Sequence, residues 1–190
     1  NKPSILLTGA TDFLGSKILN ALSKEKYSII LLKRSTSSLW RINHLTNNIK
    51  SYDIDKKPLE RVFKDQKIDY VIHTACEYGR NNELILKVLE SNLMLGLKIL
   101  DNCMRFNTKT FINTDTFLQK NLNDYSLSKK QFAEWLKHKS NLIQIINLKI
   151  ELMYGPKDDS NKLIPSVLSK LDLNSPEIKL TNGEQKRDFI

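Results

Sequence analysis

One stretch near the start of the chain constrains the fold most: an apolar run that ends in a glycine turn and leads into a helix-forming sequence. Ile5, Leu6 and Leu7 predict a short buried strand, and Gly9 lets the backbone turn sharply after it. From Phe13 onward apolar residues recur at helical spacing, which predicts a helix. A strand, a glycine turn and a helix N-terminus form an anion site, because free backbone N–H groups and the positive end of the helix dipole converge there.

The spacing within this turn is Gly9-x-x-Asp12-x-x-Gly15. A turn of this kind opens the first βα unit of dinucleotide-binding sheets, where a glycine in the middle lets the pyrophosphate approach the backbone closely. A carboxylate at Asp12 adds bulk and like charge at that point. Since Gly and Thr also fill ordinary βα turns, this motif indicates a nucleotide site only in combination with the motifs of the later strands and helices.

Apolar runs alternate with helix-forming segments along the rest of the chain. The six predicted strands cover residues 5–7, 27–33, 51–54, 69–75, 110–114 and 142–149. This alternation predicts an α/β fold, a Rossmann-like doubly wound parallel sheet covered on both faces. It ends at the polar loop 155–161, after which the sequence predicts a short helix (163–171) and a strand (177–180). We therefore expect a nucleotide-binding domain over residues 1–154 and the start of a substrate-binding domain over residues 155–190.

Composition narrows the class of protein. The formal charge of +9 comes from lysines that are spread evenly, with no basic run interleaved with aromatics, so we expect no nucleic-acid partner. No apolar run reaches the length of about 18 residues that a membrane helix needs, so we expect no membrane partner. The two cysteines, Cys76 and Cys103, make no disulfide framework and have no metal-ligand spacing. They favour a cytoplasmic protein without a metal site.

The end of the predicted second strand carries Lys33, Arg34 and Ser35, with no carboxylate beside them. In dinucleotide-binding sheets an acidic residue at this place binds both ribose hydroxyls and selects NAD, whereas a basic residue accommodates the 2′-phosphate of NADP. The sequence therefore favours NADP(H) over NAD(H). The alternative is a solvated loop whose charges face water.

A candidate catalytic group comes after the predicted fifth strand. Tyr125 and Lys129 lie four residues apart on a predicted helix and so share one face. An ammonium beside a phenol favours the phenolate, so we expect a lowered Tyr125 pKa and a phenol that exchanges protons near neutral pH. The hydroxyl of Thr114, at the strand end, can bond the same substrate oxygen. The alternative is an amphipathic surface tyrosine, a solvated lysine and a threonine helix cap.

Together these motifs resemble the extended short-chain dehydrogenase/reductase family, the NAD-dependent sugar-nucleotide epimerases, dehydratases and reductases. The resemblance runs along the whole chain, through residues 8–15, 53–54, 71–75, Asn92, Thr114, 125–129, 154–156 and 187–190. It implies that Asp53 and Ile54 flank the adenine, that Thr74 and Ala75 line the cofactor, and that Lys129 holds the nicotinamide ribose. The expected cofactor-binding residues are Gly9, Thr11, Asp12, Phe13, Leu14, Lys33, Arg34, Ser35, Asp53, Ile54, Thr74, Ala75, Asn92, Tyr125 and Lys129.

A narrower resemblance is to the CDP-3,6-dideoxyhexose synthases of the abequose and paratose type, which act in O-antigen assembly. The matching segments are residues 75–83, 90–93, 113–116, 148–151, 161–165 and 181–189. The resemblance implies NADPH-dependent reduction of a 4-keto-3,6-dideoxy sugar on CDP, with Thr116, Asn161 and Arg187 binding the nucleotide sugar. Dehydratases of the family carry Thr-Asp-Glu where this chain has Thr114-Asp115-Thr116, which argues against elimination.

Three departures from the family pattern leave alternatives open. Asp12 replaces the middle glycine, Leu152 stands where many members have an asparagine, and the chain stops at Ile190, where the family continues with its sugar-nucleotide domain. We therefore expect a partial chain. The alternative functions are a C4 epimerase that keeps NAD bound and a non-catalytic nucleotide-binding protein.

A homodimer is a further expectation from the resemblance. Leucines recur at steps of three and four and predict the inner face of a long helix over residues 83–106; they are Leu86, Leu89, Leu93, Leu97 and Leu100. In many relatives this helix and the helix that carries the tyrosine form a four-helix bundle with a second subunit.

Overall fold

The computed structural model describes residues 2–80, 83–184, 186, 188 and 189, except for the side chain of Asn48. Its contacts divide the chain into two compact units, Asn1–Lys149 and Ile150–Ile190.

A six-stranded parallel sheet forms the centre of the first unit. Its strands are β1 (Ser4–Thr8), β2 (Ser28–Lys33), β3 (Lys50–Asp53), β4 (Tyr70–His73), β5 (Thr110–Thr116) and β6 (Gln144–Ile150). Their order is β3-β2-β1-β4-β5-β6, and Leu6 of β1 lies opposite Ile30 of β2 and Val71 of β4. The order reverses between β1 and β4, which is where open α/β sheets bind their ligands. The structure confirms the doubly wound sheet predicted from the sequence.

Helices cover both faces of this sheet because successive strand residues point to opposite sides. The helices are α1 (Phe13–Leu22), α2 (Glu60–Asp65), α3 (Ile85–Leu89), a π-helical turn (Glu90–Met94), α4 (Leu95–Arg105) and α5 (Asp124–His138). On one face Leu6 packs in a core with Ile99 and Phe132, and on the other Leu7 packs with Leu19. The sheet is therefore the wall between two apolar layers.

The long helical run from α3 to α4 is not a regular helix, and this changes its buried face. Its π-helical turn holds more residues per turn than the α-helices on either side. Leu86, predicted on the inner face, is 67% exposed, whereas Val88 and Ile99 are buried. The prediction for Leu86 was wrong because a regular 3.6-residue period does not continue through the π-helical turn.

The described part of the second unit contains the helix α6 (Leu163–Asp172) and a β-bridge between Leu152 and Phe189. The strand predicted over residues 177–180 is wrong: these residues are described and form no strand. A strand needs a hydrogen-bonded neighbour, and in the described part of this unit none pairs with that segment. Within residues 2–80 and 83–184, no helix has both the length and the apolar character that crossing a membrane requires.

Gly96 on α4 allows α5 to approach closely, and this makes a testable contact. A Cβ on Gly96 would lie 2.6–2.8 Å from ring atoms of Phe132, which is fully buried. We predict that Gly96→Val lowers the free energy of unfolding by about 2 kcal/mol or more, because neither helix can retreat without opening the core.

Lys98→Val is the matched control, since Lys98 is exposed on the same helix and the change costs only helix propensity, about 0.5 kcal/mol. Urea unfolding followed by circular dichroism measures both variants. Equal losses in the two variants would show that the contact at Gly96 does not limit the packing of α4 on α5.

Candidate active site

The glycine turn between β1 and α1 is shaped by its packing against the end of β4. Gly9 has φ +68°, and a Cβ there would lie 2.6 Å from both Thr74 Oγ1 and the Ala75 nitrogen. A Cβ on Gly15 would lie 2.0 Å from the Gly9 oxygen. Both positions therefore require glycine, and the N-terminus of α1 is held directly beyond the carboxyl end of the sheet. This is the arrangement that binds a dinucleotide diphosphate.

The ends of β1 and β4 are joined by side chains at the same place. Thr74 Oγ1 donates to the Thr8 oxygen at 2.7 Å, and the Ala75 N–H donates to Thr8 Oγ1 at 3.2 Å. The same Thr8 hydroxyl lies 2.8 Å from Nδ1 of His73. Burial first, and then the charge of Lys129, lower the pKa of His73 to about 3, so the imidazole stays neutral. The predicted cofactor residues Thr74 and Ala75 therefore lie on a rigid edge.

Asp12 directly precedes α1, and its side chain does not cap the helix. Its backbone N–H donates to the Gly9 oxygen at 3.0 Å, and within the described residues its side chain makes no capping hydrogen bond to the helix. Asp12 is an exposed residue whose carboxyl group is nevertheless crowded by neighbouring protein atoms. This crowding raises its pKa, while the charges of Arg41 and Arg34 lower it and that of Glu77 raises it.

Arg41 contacts the glycine turn, and it was not predicted from the sequence. Its Nη1 donates to the Thr11 oxygen at 3.3 Å, and its guanidinium lies 4.4 Å from the ring centre of Trp40. Arg41 is seven residues beyond Arg34, in an irregular loop, so its position depends on how that loop folds back. Phe13 and Leu14, the other predicted residues of the turn, begin α1 and are half-buried.

The basic residues at the end of β2 meet a carboxylate from the neighbouring strand. Ser35 Oγ donates to Asp53 Oδ2 at 2.7 Å, and Lys33 Nζ lies 3.7 Å from the same oxygen. The hydrogen bond from Ser35 is the largest cause of the lowered Asp53 pKa, and Lys33 and Lys56 add to it. The sequence reasoning found no acid beside these residues because Asp53 comes from β3, which pairs with β2 in the fold. Ile54, the other residue predicted to flank the adenine, directly follows Asp53 and is half-buried.

Arg34 points away from this cluster. Its Nη2 lies 3.4 Å from Ser91 Oγ in the π-helical turn, and its charge acts on Asp12. Arg34 is therefore the predicted cation of this loop that lies nearest to the glycine turn, whereas Lys33 is paired with Asp53.

The candidate catalytic residues lie together at the carboxyl end of β5. Lys129 is 2% exposed and Tyr125 is half-buried, both on α5. Thr114 Oγ1 donates to the main-chain oxygen of His73 at 3.1 Å. The hydroxyl that acts on the Tyr125 phenol, by lowering its pKa, is that of Thr116, two residues further along the strand. The structure thus places Thr114 at the end of β5 and Tyr125 and Lys129 on the helix that follows, and it gives Thr114 and Thr116 different contacts.

The expected lowering of the Tyr125 pKa is not what the structure gives. Burial is the largest cause of its raised pKa and Cys76 adds to it, while the Thr116 hydroxyl opposes it. Burial also lowers the pKa of Lys129, whose charge acts on His73 and Cys76. The phenol is therefore protonated at neutral pH, because its desolvation outweighs the help of neighbouring groups.

An aromatic stack covers the phenol, and it was missed from the sequence. The ring of Tyr78 lies 4.9 Å from that of Tyr125 at an interplanar angle of 32°, and the guanidinium of Arg80 lies 4.7 Å from the ring centre of Tyr78. Tyr78 is 42% exposed, so solvent reaches the ring that lies beside Tyr125. In the sequence, the one indication of this contact is that an aromatic residue, Tyr78, follows β4 closely.

Asn92 connects the loop after β4 to α5 through three side-chain hydrogen bonds. Its Oδ1 accepts from the Glu77 N–H at 2.7 Å, and its Nδ2 donates to the Glu77 oxygen at 2.8 Å and to Ser128 Oγ at 3.0 Å. The side chain thus ties the loop after β4 to α5. The role of Asn92 in cofactor binding stays a prediction. These contacts indicate that Asn92 would act indirectly, by positioning the loop after β4.

Asp115 is held in a buried network at the end of β5. Its Oδ2 lies 3.1 Å from Lys130 Nζ and accepts from Asn147 Nδ2 at 3.2 Å. Lys130 Nζ also donates to the main-chain oxygen of Thr116. The network joins β5, β6 and α5, so it fixes Thr116 relative to Tyr125.

The remaining predicted substrate-binding residues belong to the second unit. Asn161 is exposed just before α6, and its N–H donates to Asp159 Oδ1 at 3.0 Å. Arg187 lies outside the described residues. Within the part of the chain that the structure describes, no cluster of His, Cys, Asp or Glu side chains could hold a metal ion.

This fold and site define a nucleotide-dependent α/β protein, and comparison with known proteins makes the class specific. The chain belongs to the NAD dependent epimerase/dehydratase family, which it matches over residues 5–190. It is 36% identical over 195 residues to the CDP-abequose synthase of Salmonella muenchen, covering 98% of this chain and 65% of that protein. It is 30% identical to the CDP-abequose synthase of Salmonella typhimurium, covering 100% of this chain and 66% of that protein. The chain thus spans about two thirds of the length of these curated relatives.

Solved structures share the fold. The UDP-N-acetylglucosamine 4-epimerase of Methanobrevibacter ruminantium M1, in complex with UDP-N-acetylmuramic acid, superposes with a TM-score of 0.85 at 23% identity, covering 100% of this chain and 69% of that one. The Bordetella bronchiseptica enzyme WbmG, in complex with NAD, gives 0.82 at 18% identity, covering 100% and 65%.

The Asp115–Lys130 ion pair gives a prediction for the site. Asp115→Asn removes one partner and leaves a largely buried ammonium, so we expect the free energy of unfolding to fall by about 2–3 kcal/mol. The matched control is Glu134→Gln, which removes the partner of Lys120 in an exposed pair and costs less than about 1 kcal/mol.

Chemical denaturation of both variants tests this. A loss for Asp115→Asn no larger than that for Glu134→Gln would mean that the buried network does not hold the end of β5.

Proposed function

We propose that this chain contributes the cofactor-binding part of an NADPH-dependent 4-ketoreductase that acts on a nucleotide sugar of the CDP-4-keto-3,6-dideoxyhexose type, in O-antigen or polysaccharide sugar biosynthesis. The observation that supports the proposal is that the ends of β1, β4 and β5 meet at one edge of the sheet: the Thr8 hydroxyl lies 2.8 Å from His73 Nδ1, and Thr114 Oγ1 donates to the His73 oxygen at 3.1 Å. Tyr125 and Lys129 lie on α5, the helix that follows β5. Similarity to CDP-abequose synthases supports the substrate class.

The residues present fit a nicotinamide dinucleotide. The turn between Gly9 and Gly15 offers a helix N-terminus to the diphosphate, and the edge at Thr74 and Ala75 lies beside it. Asp12 is the one residue of the turn that opposes an anion, and two arginines face it. When bound, the reduced cofactor supplies a hydride to the carbonyl carbon of the substrate.

Tyr125 then provides the proton that the new alkoxide needs. Its raised pKa keeps the phenol protonated at neutral pH, and an alkoxide is a stronger base than a phenolate, so the transfer runs towards the substrate. The Thr116 hydroxyl and the charge of Arg80, which both lower the pKa of Tyr125, stabilise the phenolate that remains until solvent returns a proton. Thr114, bonded to the His73 oxygen, keeps its proposed role of orienting the carbonyl if its hydroxyl rotates towards the substrate.

The chemistry at the end of β5 favours reduction over elimination. An elimination of the dehydratase kind uses two acids after the threonine. Here Thr116 replaces one of them, and the carboxylate of Asp115 is engaged by Lys130 and Asn147. The site therefore keeps one mobile proton, on Tyr125, which a simple carbonyl reduction requires.

Arg34 supports NADPH as the cofactor, because it is the predicted cation at the end of β2 whose guanidinium reaches Ser91 instead of pairing with Asp53. A second candidate is a C4 epimerase that retains NAD. One observation favours it: the Asp53 carboxylate beside Lys33 and Ser35 supplies the acid that binds ribose hydroxyls in NAD enzymes.

We assign the protein to the cytoplasm, where its free thiols Cys76 and Cys103 stay reduced.

The proposal predicts that Tyr125→Phe lowers turnover at least about 100-fold, because the alkoxide loses its proton donor. Cofactor affinity changes little, since the phenyl ring still packs on Tyr78. The assay follows NADPH oxidation with CDP-4-keto-3,6-dideoxyglucose, and titration of NADPH and NADH fluorescence measures binding and preference.

Tyr27→Phe, an exposed tyrosine before β2, is the control and keeps full activity. Turnover by Tyr125→Phe that equals this control would rule out Tyr125 as the proton donor. An NADH affinity above that for NADPH, with product that is an epimer rather than a reduced sugar, would favour the epimerase.

We also propose a homodimer through a four-helix bundle. Leu84, Leu86 and Met94 near the start of the long helical run and Trp135 on α5 are exposed apolar residues, and a second copy would cover them. Light scattering should give twice the chain mass of 22.0 kDa, and Leu86→Lys should shift the protein to the monomer. A mass of 22.0 kDa for the unsubstituted chain at micromolar concentration would contradict the dimer.

A further inference from the structure

Asp12 occupies the point of the glycine turn where an incoming anion approaches most closely. An aspartate that begins a helix usually accepts hydrogen bonds from the first turn and neutralises its N–H groups. Within the described residues, the side chain of Asp12 makes no such bond. The N-terminus of α1 therefore stays available to a ligand, and the carboxyl group meets other charges instead.

Four groups from three elements act electrostatically on this carboxyl, and one of them, Arg41, is held next to it because its Nη1 donates to the main-chain oxygen of the preceding residue, Thr11, at 3.3 Å. Arg34 comes from the end of β2, Arg41 from the loop after it, and Cys76 and Glu77 from the loop after β4. Arg41 is fixed on the turn by its bond to the main chain of residue 11 and by its packing on the ring of residue 40. The arginines are thus the charges that keep Asp12 ionised, and Glu77 and the crowding of the turn work against ionisation.

The same two arginines are the groups that phosphates would attract. Guanidinium binds phosphate in a bidentate, charge-assisted manner, which makes arginine the strongest protein partner for a diphosphate. A carboxylate left beside a bound diphosphate would lose its counter-charges and gain two like charges. A neutral carboxyl would instead offer an O–H donor to a phosphate oxygen.

We propose that Asp12 takes up one proton from solvent when a dinucleotide binds, because Arg34 and Arg41 then pair with the phosphates and no longer balance its carboxylate. This inference rests on the proposed function only in that a dinucleotide binds at the glycine turn. Asp12 thereby resolves the conflict between an acid in the turn and an anionic ligand, and it makes cofactor affinity depend on pH.

The direction of that dependence is set by linkage. Binding raises the pKa of Asp12, so the complex holds more protons than the free protein between the two pKa values. Affinity is greatest below the pKa of the free protein and falls as pH rises, by up to about tenfold per pH unit. Above the pKa of the complex, affinity no longer changes.

Isothermal titration calorimetry with NADPH and NADH, from pH 5 to 9 in buffers of different ionisation enthalpy, measures this proton uptake directly. We expect the unsubstituted chain to take up as much as about one proton per cofactor through Asp12. Asp12→Asn should take up none by this route and bind at least about tenfold more tightly near neutral pH. Titration of the 2′-phosphate of NADPH is common to both proteins and cancels in their difference.

Asp65→Asn is the matched control, because Asp65 is a surface acid paired with Arg61, remote from the turn, and its loss changes the net charge equally. It should behave as the unsubstituted chain does. Thermal unfolding of Asp12→Asn confirms that the variant is folded, and Asp12→Gly provides a second neutral residue at the same position.

Two results would overturn the inference. Equal proton uptake and parallel affinity profiles in the unsubstituted chain, Asp12→Asn and Asp12→Gly would refute the role of Asp12 while leaving the proposed cofactor intact. Failure of NADPH and NADH to bind to any of these folded proteins would refute both the inference and the proposed function.

Discussion

The contact between the glycine turn and the end of β4 is the constraint on which the rest of the site depends. Gly9 approaches Thr74 and Ala75 so closely that even a methyl group would collide. Hydrogen bonds from Thr74 and Ala75 to Thr8 then fix the ends of β1 and β4 side by side. Since this is where the sheet order reverses, the N-terminus of α1 and the loop after β4 face one another across a single edge.

Two neighbouring lysines on α5, Lys129 and Lys130, make different interactions on the side of the site formed by β5 and α5. Lys130 is committed to Asp115 and to the main chain of Thr116, so it anchors the end of β5. Lys129 is buried and acts on Cys76 and His73. Below them, Phe132 packs against the bare backbone of Gly96 and sets the distance between α4 and α5. The position of Tyr125 is fixed by these contacts on the same helix.

Much of this architecture could be predicted from local sequence patterns. The alternation of strand-forming and helix-forming segments identified all six strands. The signal was clearest for the inner strands, which are apolar on both faces, whereas the edge strands β3 and β6 are largely exposed. The four-residue spacing of Tyr125 and Lys129 placed both on one helix face. The strand predicted over residues 177–180 failed because a short apolar-polar alternation does not specify a pairing partner.

Contacts between distant segments could not be predicted in this way. The stack of Tyr78 on Tyr125, the meeting of Asp53 with Ser35 and the approach of Arg41 to the turn each depend on loops that return in three dimensions. The direction in which the Tyr125 pKa shifts is likewise set by burial, which the four-residue spacing of Tyr125 and Lys129 does not reveal.

A crystal structure of this chain with NADPH tests the central claim most directly, because the claim is that the glycine turn and the phenol serve one bound cofactor. The account predicts the diphosphate at the N-terminus of α1 and the nicotinamide ribose within hydrogen-bonding distance of Tyr125 and Lys129. A dinucleotide bound elsewhere, or one whose nicotinamide end lies away from α5, would contradict it.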